Sequence, residues 1–179
     1  MKDFPDTAFT PLPGYLEQFL FQNDAIDLPL SLFHRISFDF VPFELEGEEI
    51  STDLCLDFIT LPVTSWKQLA GRTFDFPVNP EEGYIDGSIL LFDAHNQVDV
   101  TRLVLGEWRE DGHLPATVFL SVDFRIEGDE EYGAIELQLN TVLELTPLKA
   151  WMREADGNDP ARLSQAIAPL VTLSDYHPP

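Results

Sequence analysis

The chain has 179 residues, with 32 Asp and Glu against 10 Lys and Arg, for a formal net charge of −22. Its 44% hydrophobic and 12% aromatic content suffices for one buried core and is too high for an intrinsically disordered chain. A lone cysteine excludes an intramolecular disulfide framework or thiolate zinc cluster. No apolar run approaches the roughly 18 residues of a membrane span, and basic residues scattered singly among carboxylates argue against nucleic acid or anionic lipid as partners.

Residues 1–14, with Pro5, Pro11, Pro13 and Gly14, read as an extended arm. The first residues lack a charged stretch followed by an apolar one and do not read as a secretory leader, and the expected location is a reducing cytoplasm. Tyr15 to Phe21 predicts a short helix, because Tyr15 and Phe19, and Leu16 and Leu20, recur at spacing four. From Leu32 the period becomes two: Leu32, His34, Ile36, Phe38 and Phe40 share one strand face, and Leu54, Leu56 and Phe58 share another after an acidic interruption. Ser65 to Gly71 predicts one helical turn, with Ser65 as N-cap and Gly71 as terminator. Phe74 to Phe76 suggests a short strand, residues 77–87 turn chemistry, Ser88 to Phe92 a strand, and Asp93 to Gln97 a connection. Between Val98 and Trp108 the apolar positions switch parity, which predicts a β-bulge near Thr101-Arg102.

The strongest pattern is a hairpin. Ala116 to Ile126 and Ile135 to Leu145 both alternate, and setting Ile126 opposite Ile135 pairs their apolar faces throughout, with Arg125 facing Glu136 and Phe119 facing Val142. Beyond Pro147, Leu148 to Ala155 predicts a short helix, Asp159-Pro160 opens another that runs to about Ala168, and residues from Leu173 should fray. The expected organisation is a single domain over 1–179, with an arm at 1–14, an antiparallel β core at 30–146 and a helical segment at 147–170. One polar face per strand points to a mainly β fold, an antiparallel β-sandwich or a strongly curved antiparallel sheet with short peripheral helices, with α+β as the runner-up.

Candidate chemistry is sparse. His34, on an apolar strand face, reads either as a base at a cavity mouth or as a core histidine satisfied by its neighbours. Asp93, His95 and Asp99 put two carboxylates and an imidazole close together in the chain, a possible metal site without an established ligand spacing. The acidic stretches Glu44, Glu46, Glu48, Glu49 and Glu127, Asp129, Glu130, Glu131 do not match a calcium-loop pattern. They read as solvated charge or as a surface for a basic partner, with Phe119 as an exposed anchor. Nucleophile-elbow, phosphate-loop, dinucleotide and zinc-protease motifs are absent, and nothing near Cys55 would lower its pKa. No cofactor is expected. The leading expectation is a non-enzymatic cytoplasmic binding protein that meets a basic protein partner, similar in size and acidity to immunity and inhibitor proteins. The alternative is a metal-binding hydrolase that uses Asp93, His95 and Asp99, with His34.

Overall fold

A meander of antiparallel strands closes on itself in the computed structural model, which describes residues 2–151 and 165–172. The strands are β1 (Gly14–Asn23), β2 (Leu28–Asp39), β3 (Phe43–Leu45), β4 (Glu48–Ile50), β5 (Asp53–Ile59), β6 (Thr73–Asp75), β7 (Asp86–Leu91), β8 (Ala94–Leu105), β9 (His113–Asp123), β10 (Ala134–Leu145) and β11 (Lys149–Trp151). The wall runs β1-β2-β5-β7-β8-β9-β10 and returns to β1, with the β3–β4 hairpin and β6 as excursions from it. Each wall strand is antiparallel to the one before. An odd number of strands therefore leaves β10 running in the same direction as β1, and the closing seam is parallel, with Gly14 beside Leu143 and Leu16 beside Leu145. The fold is mainly β, as expected, but the curved sheet closes into a seven-stranded barrel instead of stacking as a sandwich. Closure removes the sheet edges that a sandwich would leave open along most of the wall.

The barrel is filled. Leu16, Ile36, Leu56, Ile89, Val98, Val118 and Leu143, one from each wall strand, are at most 1% exposed, and burying such a side chain contributes about 1.5–3 kcal/mol. His95, Gln97 and Asp99, with Glu136, Gln138 and Asn140, take the alternate positions on the outer wall, the reverse of a membrane-spanning barrel's polarity. No described helix is long and apolar enough to cross a membrane. One end of the barrel is stoppered by aromatics, with Phe4 stacked 4.7 Å from Tyr132 and Phe9 packed edge-on to Phe40 at 5.5 Å. Toward the other end, Leu20 packs with Ile167 and Val171 in a separate small cluster, with the Thr172 amide donating to Thr64 O at 2.8 Å.

Several expectations change in the structure for identifiable reasons. Tyr15 to Phe21 is strand β1, not a helix. Spacing four is also an even number, so Leu16 and Leu20 share the inner face of a strand as readily as one face of a helix. Leu54 and Leu56 face inward, but Phe58 is 40% exposed at φ +53°, where a bulge shifts the β2–β5 register. The β9–β10 hairpin forms with Val122 opposite Ile135 instead of Leu139, a slip of four residues that preserves every facing. Phe119 therefore meets Gln138, and Arg125 leaves the ladder. The slip follows from Asp123, whose carboxylate accepts from the Arg125 amide and grips its guanidinium at 2.6 Å, turning Phe124 into the aromatic stopper. Asp93 belongs to a two-residue turn with Phe92, both at positive φ, and His95 to Gln97 already lie in β8. Residues 149–151 are strand β11 and not helix, because past Pro147 the chain regains β1 as a parallel partner. The remainder of that expected helix and the Asp159-Pro160 start lie outside the described residues, as do residues 173–179. The bulge expected near Thr101-Arg102 is present, and Ser65 caps the turn Trp66–Leu69 by accepting from the Lys67 amide at 3.2 Å.

Candidate functional site: the acidic end of the barrel

His34 is an interior residue. It and Gln18 are both 0% exposed, and the Gln18 amide nitrogen donates to His34 Nε2 at 3.0 Å, which places the ring proton on Nδ1. Neither Nδ1 nor Gln18 Oε1 completes a hydrogen bond of ordinary geometry. Burial pushes the imidazole pKa down to about 4, partly offset by the Ile59 backbone.

The residues considered for a metal are dispersed. His95 lies on the outer wall with Nδ1 3.4 Å from Ser88 Oγ, and Asp99 accepts from the Asn79 amide at 3.2 Å. Asp93 stands at the tip of the β7–β8 hairpin. Among the described residues no group of three or more His, Cys, Asp or Glu side chains could hold a metal ion. Cys55 is half-buried on the outer wall between Arg35, which donates to its sulfur at 3.0 Å, and Asp57. Burial pushes the thiol up to about 11, so it stays protonated and unreactive.

The acidic stretches, by contrast, come together. In the β3–β4 hairpin Phe43 and Leu45 are buried, and the alternation of the strand turns Glu44 outward between them. The tight turn at Glu46-Gly47, both at positive φ, displays Glu46, Glu48 and Glu49 on the surface. In the β9–β10 connection, buried Phe124 and Tyr132 pin both ends of a short loop, and Glu127, Glu130 and Glu131 stand exposed between them with Asp129 half-buried. Both loops sit at the aromatic end of the barrel, and Lys2 bridges them. Its ammonium pairs with Glu46 and lies 2.9 Å from Glu131, 5.8 Å over the Tyr132 ring, while its amide donates to Glu131 O at 2.6 Å. Hydrogen bonding to Glu131 and Glu46 raises the Lys2 pKa, and the bond to Lys2 lowers that of Glu46.

Asp93 joins this acidic end. Phe92, its neighbour at the hairpin tip, lies 5.7 Å from Tyr132, and a shallow cleft of about 390 Å³ runs between Phe92, Asp93, Glu48 and Glu49. Phe119 does not belong to it. It sits half-buried on the outer wall beside Gln138 and Arg102, in a shallow groove with Thr101, Ser121 and Glu136.

The site is thus a rim of carboxylates around an aromatic floor, with few cations: Lys2 is held by two of the carboxylates, and Arg125 by Asp123. Among the described residues it brings no nucleophile together with an activating base, and its carboxylates attract cationic groups such as the Lys2 ammonium. Sequence reasoning missed Lys2 and Tyr132, because what joins them to Glu46 is the closure of the barrel across dozens of residues. Comparison with family models, with curated proteins and with solved structures finds no match.

Proposed function

We propose that the protein is a non-enzymatic binding protein whose acidic barrel end docks a basic surface of a partner protein. The observation that carries this reading is the convergence of two acidic loops, separate in the chain, around the aromatic floor of Phe4, Phe92 and Tyr132. A dense negative field steers a basic partner and speeds encounter at low salt. Aromatic side chains beneath the carboxylates supply the apolar contact that charge alone lacks. A protein of this kind acts by occupying its partner's basic surface, as an immunity or inhibitor protein does, and needs no chemistry of its own.

The test is charge neutralisation by position, read with a cationic probe protein such as cytochrome c. Glu48→Gln, Glu49→Gln and Glu130→Gln together should weaken binding about tenfold or more at low ionic strength, since each lost rim contact removes a fraction of a kcal/mol plus its share of the steering field. The same number of neutralisations on the outer wall and far loops, at Glu81, Glu82 and Glu136, should change it much less. Equal losses in the two sets would show that only net charge matters and would overturn the reading.

A further inference from the structure

The seating of Lys2 suggests what the acidic end recognises. We infer that Glu46, Glu131 and Tyr132 form a subsite for a primary ammonium group, occupied in the free protein by the chain's own Lys2 and taken over by a lysine side chain of the docking partner. The inference rests on the docking function proposed above and names the group that is read there.

Three observations support it. The Lys2 ammonium is gripped by two carboxylates from different loops and lies over an aromatic face, three contacts that suit an ammonium ion. Tyr132 is 2% exposed, and its hydroxyl, close enough to Glu46 for the two to interact, completes no hydrogen bond of ordinary geometry. That hydroxyl lies against Glu46 at the floor of the subsite, beside a cleft of about 320 Å³ lined by Lys2, Asp3, Phe4 and Tyr132.

The third observation is that displacement is cheap. Lys2, Glu46 and Glu131 are each about half exposed, so exchanging one ammonium for another costs little desolvation. The arm itself need not leave, because it is held independently by the Lys2 amide on Glu131 O and by Phe4 between Phe9, Phe124 and Tyr132. Lys2 therefore acts as a weak internal competitor, and the affinity seen by a partner is lowered by the fraction of molecules in which the subsite is filled.

The experiment is titration of a short oligolysine peptide and its side-chain-acetylated form into the full chain, followed by calorimetry. Lys2→Ala empties the subsite and should bind oligolysine about fivefold tighter than wild type. Lys67→Ala makes the same change in net charge at the opposite end and should give a much smaller gain. Adding Glu46→Gln and Glu131→Gln to Lys2→Ala should erase the gain, and the acetylated peptide should bind none of them. If oligolysine binds but Lys2→Ala and Lys67→Ala respond alike, the subsite is refuted while docking at the acidic end stands. If the acetylated peptide binds equally well, ammonium recognition is refuted. If oligolysine binds no variant, the subsite and the docking function fall together.

Discussion

Gln18 and His34 put a titratable group where water does not reach, and that has a consequence for stability. The unfolded imidazole has its ordinary pKa of 6.5, and the folded one is held down at about 4. Between those values the unfolded chain binds the proton and the folded one does not. The contribution of His34 is therefore fully present above about pH 6.5 and is lost as the pH falls toward 4, by up to about 3 kcal/mol. The paired substitution Gln18→Leu with His34→Leu removes the titration together with both unsatisfied polar atoms. Urea unfolding of the two proteins from pH 7.5 to 4 should give a wild-type curve that falls relative to the variant across this window. Parallel curves would mean that His34 is solvated in the folded state. That His34 faces the interior was legible from the alternation Leu32, His34, Ile36. Its partner was not, since Gln18 lay in a segment that reads equally well as a helix.

The seam between β1 and β10 is the contact that turns a sheet into a barrel, and Gly14 occupies it. A Cβ at that position would lie 2.4 Å from Ser37 O and 2.5 Å from Phe38 Cβ, so β1 can approach β2 closely there only without a side chain. Gly14→Ala should cost about 1–3 kcal/mol, as overpacking does, read as a lower urea midpoint. An unchanged midpoint would show that the approach of β1 to β2 at Gly14 is looser than described. The strands of the wall were largely readable from period two, and the parity switch at Thr101-Arg102 marked its bulge correctly. Closure was not readable, because a parallel pairing of the first and last strands leaves no pattern within either. The hairpin register was half readable: alternation sets which face points inward, and any even slip satisfies it equally. The four-residue slip was decided by a local contact, the grip of Asp123 on Arg125, and by the space that Phe124 fills among the aromatics.

Taken together, the barrel is a sealed core with an asymmetric surface. The end near Leu20 and Ile167 carries the Trp66–Trp108 pair in its loops, and the other is stoppered by aromatics ringed with carboxylates. The acidic composition was plain in the sequence, and so were the two acidic stretches. Their meeting at one end depends on the meander bringing the β3–β4 hairpin and the β9–β10 loop to the same rim, which composition cannot disclose. Asp93 illustrates the point. In the chain it reads as a partner of His95 and Asp99, yet the turn at Phe92-Asp93 carries it toward Glu48 and Glu49 instead. The most direct measurement is amide chemical-shift mapping of the labelled full chain as a cationic probe protein is titrated in at low salt. The account predicts perturbations concentrated at residues 44–49, 92–93 and 127–132 that fade as salt is raised. Perturbations spread evenly over the barrel wall, or centred on the opposite end, would contradict it.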